Sequence, residues 1–261
     1  MSNPNERIIA IAINTYRESI RSKILYSIIF FAALLLVVAT FFGTVTIGDQ
    51  IKVIKDFGLF SISIFSVAYA VIAGAALLHK ELSRKTVFNI LAKPVYRWEF
   101  LAGKYFGMLL TVAVMLVFMG AGLLLFAGLF QGNADILMLQ AYYYIFCELV
   151  IICAAAIFFS SIVVTPMLSG LFTFGLFLAG RAITSLLYFV KDGSVTGLLA
   201  LILKALKYTL PNLEKFNVSN QIVYGHSLSA SHMFWSGLYA AGYAAVLLIL
   251  ATVIFGRREF N

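Results

Sequence analysis

Long apolar runs broken by short polar joints set the pattern of this chain. Apolar residues run almost without interruption over 24–42, 57–78, 105–130, 142–190 and 233–255. A run of about 18 or more apolar residues is long enough for a helix to cross a bilayer. The fourth run is too long for one helix. Ser160, Ser161, Thr165 and Pro166 predict a turn inside it, because the residue before a proline avoids helical geometry. That turn divides the run into spans over 142–164 and 167–190. The expectation is an all-α membrane protein of a single domain, 1–261, with six transmembrane helices.

Two segments have helical spacing without being apolar enough to cross. Over 4–22, Pro4 offers a helix start, Ile9, Ile13, Tyr16 and Ile20 share one face, and Asn14, Arg17 and Arg21 share another. Such a helix is expected in the membrane interface. Over 196–210, Lys204 and Lys207 interrupt an apolar stretch that Pro211 ends. A lysine near the bilayer centre costs about 2.5–3.5 kcal/mol. This segment is therefore expected as an interfacial or partly re-entrant helix on the outer face.

Composition supports this reading. Of 261 residues, 62% are hydrophobic and only 11% charged, whereas a soluble domain carries about 25% charged residues. The net charge of +8 does not mark a nucleic-acid binder, since cytoplasmic loops of membrane proteins concentrate Lys and Arg. With six spans, Arg17, Arg21, Lys23, Arg257 and Arg258 all fall on one side with the basic loop between the second and third spans. That places both termini in the cytoplasm. The first apolar run is too long for the core of a cleavable signal peptide. Cys147 and Cys153 sit in one apolar helix and point in different directions, so they do not pair with each other.

The densest charge lies at residues 79–104, HKELSRKTVFNILAKPVYRWEFLAGK. Val87, Ile90 and Leu91 share a face of a short helix, with Phe88 beside them, and Pro94 ends it. Topology alone would need the basic residues but not this apolar tip, nor Tyr96, Trp98 and Phe100. The stretch is expected to dock on a cytoplasmic partner.

Inside the spans, Glu148 and Arg181 are the clear ionisable residues. Each falls about seven residues from the outer end of its span, roughly 10 Å deep at 1.5 Å per residue. Intramembrane charges pair or face a wet cavity, so the two are expected to form an ion pair or to line the outer half of a path. Gly103 and Gly107 have GxxxG spacing and allow close helix contact. His226 and His232 have no ligand-spaced carboxylate near them, and no metal site is expected. The chain has no GxxxxGK[ST], GxSxG or HExxH. No catalytic residue and no nucleotide site is expected in it.

The run KELSRKTVFNILAKPVYRWEFLAGKYFG, with FGRREF at the C-terminus and Pro211-Asn212 before the last span, resembles the permease subunits of ABC type-2 transporters. The matching residues in the loop are Glu81, Arg84, Leu91, Lys93, Pro94, Arg97, Glu99 and Lys104. The resemblance implies a dimeric permease in a cytoplasmic (inner) membrane, a homodimer being expected, in contact with membrane lipids. It also implies that ATP and Mg2+ are handled by a separate ATPase subunit. Glu81, Arg84, Val87, Phe88, Ile90, Leu91, Pro94 and Arg97 would form the coupling contact with that ATPase. Export is the expected direction. The rival readings are an autonomous secondary transporter or channel, which needs ionisable residues for coupling, and a membrane scaffold that transports nothing.

Overall fold

The structure is a computed structural model that describes residues 3–45, 50–83, 96–131, 136–163, 165–192 and 197–257. Among these residues the elements are helices: α1 Pro4–Ile20, α2 Lys23–Val45, α3 Gln50–Ser83, α4 Arg97–Gln131, α5 Met138–Ile162, α6 Pro166–Lys191, α7 Leu198–Thr209, α8 Ser219–Val223 and α9 Ala230–Arg257, with a 3-10 turn at Leu213–Phe216 between α7 and α8. Prolines open α1 and α6 at their first turns, where the missing N–H costs nothing. The break between α5 and α6 falls where expected: Val163 and Thr165 are extended on either side of it. Ser160 and Ser161 remain helical, and Ser161 Oγ donates back to the Phe158 carbonyl at 2.7 Å.

Among the described residues, five helices are long and apolar enough to cross a membrane: α3, α4, α5, α6 and α9. By the same measure α2 carries a shorter apolar segment, Lys23–Leu35. The helices outrun the apolar runs that announce them. Helix α3 starts at Gln50 and takes in Lys52, Lys55 and Asp56, which the hydropathy pattern places in a loop. Helix α4 starts at Arg97, two turns before its apolar run. Extending a helix satisfies backbone groups that a loop would have to hydrate, so polar turns continue past the apolar limit.

Helix α5 is the centre of the bundle. Within its most apolar window 72% of residues are buried, against 22% for α6 and 28% for α9. It packs against α3, α4, α6 and α9. The run Ile151 to Ile157, with Cys153 and three alanines, is entirely enclosed. Cys147 and Cys153 of this helix are both free and buried. Small side chains on α5 let neighbouring helices approach closely. A Cβ on Gly74 of α3 would lie 2.4 Å from Ala156 Cβ.

The GxxxG pair of α4 seats α1. A Cβ on Gly103 would lie 2.7 Å from Ile11 Cβ, and one on Gly107 would lie 2.6 Å from the Ala12 carbonyl oxygen. Thr15 is buried in this contact and ties its hydroxyl to the Ile11 carbonyl at 2.9 Å. The docked stripe of α1 is thus Ile11, Ala12 and Thr15. The stripe picked out by periodicity runs elsewhere, and Ile9 and Ile13 on it remain exposed. Helix α1 therefore has two apolar edges, one against α4 and one facing outward.

Candidate functional site

Two charged centres lie at different depths in the bundle. The first joins α5 and α6. Glu148 lies ten residues from the start of α5 and Arg181 ten residues from the end of α6. The turn at 163–165 makes these helices antiparallel neighbours, so both side chains arrive at one level, about 15 Å from the helix ends. Arg181 Nε donates to Glu148 Oε1 at 2.9 Å and Nη2 donates to Oε2 at 2.9 Å. The paired, parallel geometry is the strong form of a guanidinium–carboxylate contact. Ser63 of α3 completes it. Its hydroxyl accepts from Arg181 Nη2 at 3.0 Å and donates to Glu148 Oε2 at 3.4 Å. Sequence depth brought Glu148 and Arg181 together; nothing in the apolar run of α3 singled out Ser63.

The pair is lopsided. The Glu148 side chain is 1% exposed and that of Arg181 26%. The guanidinium also lies over the Phe177 ring, 5.3 Å from its centroid. Its open side forms part of the wall of a cavity of about 400 Å³, with Asp56, Phe57, Phe60, Asn217 and Asn220. The arrangement presents a cation to this space while its counter-ion stays behind it in the protein.

The segment between α7 and α9 closes this cavity, and it is firmly held. Gly180 of α6 admits it, since a Cβ there would lie 2.7 Å from the Pro211 carbonyl oxygen. The Asn212 N–H donates to the Tyr239 hydroxyl at 2.9 Å. Gln140 at the start of α5 accepts from the Leu228 N–H at 3.0 Å. Tyr143 donates to the Met233 carbonyl at 3.0 Å, and the Tyr144 hydroxyl meets His232 Nδ1 at 2.7 Å. Apart from Tyr142, which donates to the Gly120 carbonyl, the tyrosines at the start of α5 thus fix the approach to α9.

The second centre lies where α4 begins. Glu99 is buried, and its Oε2 accepts from the Tyr96 N–H at 3.0 Å. This is the return half of a capping box, with Glu at the third helical position. Arg7 of α1 donates to the same oxygen at 3.3 Å. Its neighbour Arg97 turns the other way. Arg97 Nη1 donates to the carbonyls of Phe255 and Gly256 at 2.9 and 2.6 Å. A cation at these carbonyls satisfies groups that the end of α9 leaves open. Phe100 and Phe255 stack beneath, with centroids 6.3 Å apart. One turn of α4 therefore joins α1 and α9.

Of the expected coupling residues, Arg84, Val87, Phe88, Ile90, Leu91 and Pro94 lie outside the described residues, and the backbone of Glu81 lies in the last turn of α3. In sequence the former fall between the end of α3 and the Arg97–Glu99 turn. Sequence reasoning placed Arg97 among the docking residues without its contact to α9. Glu99 three residues after Tyr96 was the legible sign of the cap; nothing local marked Phe255 and Gly256 as acceptors.

A bundle of span-length helices around one enclosed helix, with a paired charge inside it, is built as an integral membrane protein. The family model for ABC-2 family transporter proteins matches residues 9–260, and the chain belongs to that family. No curated protein matches it significantly.

Proposed function

We propose that this chain is the permease subunit of an ATP-binding-cassette exporter, driven by an ATPase on a separate polypeptide. The ATP and Mg2+ belong to that partner; the chain itself catalyses nothing. In this reading α2 is the sixth span, both termini lie in the cytoplasm of an inner membrane, and α1 rests in the interface. A second copy of the chain covers part of the apolar surface of α6, where Met167, Leu171 and Leu178 are exposed.

The observation that carries the reading is the junction at the start of α4. Residues 84–95 connect α3 in sequence to a turn whose Glu99 holds Arg7 of α1 and whose Arg97 holds the end of α9. A partner that pulls on Glu81, Arg84, Val87, Phe88, Ile90, Leu91 and Pro94 moves α3 and α4 directly. Through Arg97 and Glu99 it also moves α1 and α9. Displacement at one cytoplasmic loop becomes displacement of four helices. The cavity beside Arg181 then serves as the outer part of the substrate path, opened or closed as α3 and α6 shift.

An ion-coupled secondary transporter fits less well. Such proteins use ionisable residues near the midplane whose protonation or ion binding changes during transport. Here Glu148 is held by two charge-assisted bonds from Arg181 and one from Ser63.

The test is co-purification of a tagged chain from its native host, with ATPase and transport assays on the complex. An ATPase bearing a phosphate-binding P-loop should copurify, and Phe88→Asp or Leu91→Asp should release it and abolish transport. Absence of such a partner, together with normal activity of both variants, refutes the proposal.

A further inference from the structure

A second cavity, of about 570 Å³, opens between the end of α6, α7, the 3-10 turn and α9. Lys207, Lys215, Tyr188, Tyr239, Tyr243 and Thr184 line it, and among the described residues no carboxylate does. It is separate from the Arg181 cavity. Lys215 Nζ stands 4.8 Å from the Tyr239 ring centroid, and Lys207 Nζ 5.8 Å from that of Tyr208. The hydroxyl of Tyr239 accepts the Asn212 N–H, which leaves its own O–H to donate. The hydroxyl of Tyr243 donates to the Thr209 carbonyl, which fixes the end of α7 over the cavity. Two cations and a phenol donor facing one space without an acid make a receptor for an oxyanion.

The surroundings say what carries that oxyanion. On α7, Leu203 is buried, whereas Leu198, Leu199, Leu201 and Ile202 are exposed. Tyr188 and Tyr208 are exposed at the mouth. An amphipathic helix with uncovered leucines, lysines and rim tyrosines has the make-up of an interfacial helix. Lysine stems lie along such a surface while their ammonium groups reach the headgroup layer.

We propose that this cavity binds the phosphate of an anionic membrane lipid, with the acyl chains lying along the exposed leucines of α7. Lys207 and Lys215 hold the phosphate oxygens, and the Tyr239 hydroxyl donates a third hydrogen bond. The proposal needs only that the chain sits in a bilayer, so it survives if the exporter reading fails.

The experiment uses the full chain in phosphatidylcholine nanodiscs that contain a minor fraction of phosphatidylglycerol. Native mass spectrometry measures which lipid stays bound after release into detergent. The chain should retain phosphatidylglycerol in preference to phosphatidylcholine. The double variant Lys207→Gln/Lys215→Gln should lose that preference by an order of magnitude, about tenfold. Lys207→Arg/Lys215→Arg should keep it, and so should Lys204→Gln, which alters a lysine of the same helix outside the cavity. No preference in the unmodified chain overturns the proposal. So does an equal loss in Lys204→Gln, which would assign the effect to diffuse charge, or a loss in the arginine variant. Displacement of the lipid by soluble glycerol 3-phosphate as effectively as by phosphatidylglycerol would show a free-phosphate site and would also overturn it.

Discussion

The two charged centres differ in how completely they are closed. At the Glu148 centre each carboxylate oxygen receives a charge-assisted bond, and a third helix adds a hydroxyl. At the Glu99 centre both the Tyr96 N–H and Arg7 converge on Oε2, while the buried Oε1 has no hydrogen-bond partner. One centre is saturated and joins neighbouring spans near one level. The other is under-satisfied and joins a span to a peripheral helix, one turn from the loop proposed to receive force. A saturated pair resists rearrangement, because separating it strands a charge in a dry interior. An under-satisfied one leaves a buried acceptor unpaired, so less holds it in place. The contrast assigns the firmer tie to the Glu148 centre within the bundle and the looser one to the Glu99 centre at the start of α4.

Breaking the saturated pair is the strongest test. Arg181→Ala leaves Glu148 buried and unpaired, and should cost about 3–5 kcal/mol, read as a large fall in melting temperature in nanodiscs. The exchange Glu148→Arg/Arg181→Glu should recover a substantial part of it. A melting temperature for Arg181→Ala within a degree of the parent would show that the pair holds nothing together.

Next in size is the seat of α1. In Gly107→Leu the new side chain meets the Ala12 carbonyl, and overpacking of this kind costs about 1–3 kcal/mol. The expected readout is selective: proteolysis within residues 3–22 rises sharply while the bundle stays resistant. Uniform proteolysis of the whole chain would contradict the local seat.

Glu99→Gln sharpens the comparison directly. It retains an acceptor for the Tyr96 N–H and removes the charge facing Arg7, for a loss of about 1–3 kcal/mol. Stimulation of the copurified ATPase by the permease should fall more than stability does. A loss of stability with coupling intact would reverse the roles given to the two centres. The smallest effect is expected from Ser63→Ala, about 1 kcal/mol, with transport preserved, because Arg181 and Glu148 keep both mutual bonds.

Much of the bundle was legible in the hydropathy pattern, since a membrane dictates length and apolarity before any packing is known. The depth argument for Glu148 and Arg181 worked for the same reason: charge in hydrocarbon leaves few arrangements. Contacts that depend on which faces meet were not legible. GxxxG at Gly103 and Gly107 announced a close approach but not that α1 would make it. Periodicity chose the Ile9 and Ile13 edge of α1, which faces outward, because the docked edge includes Thr15 and backbone oxygens that no hydropathy scale rewards. The bond from Arg97 to α9 was not legible, because a basic stretch gives no hint of carbonyls 158 residues away. The polar first turns of α3 were hidden because hydropathy records where lipid ends, not where hydrogen bonding along the chain ends.

The glycine seat has a mechanical consequence. Helix α1 has 17 residues, about 25 Å of rod at 1.5 Å per residue, fixed broadside to α4 by backbone contact. Were α4 to lean by about ten degrees, the ends of that rod, each about 12 Å from the seat, would sweep roughly 2 Å. If α1 rests in the interface of the proposed exporter, that sweep would plough through headgroups, and lipid viscosity and lateral pressure would act as a brake on each transport cycle.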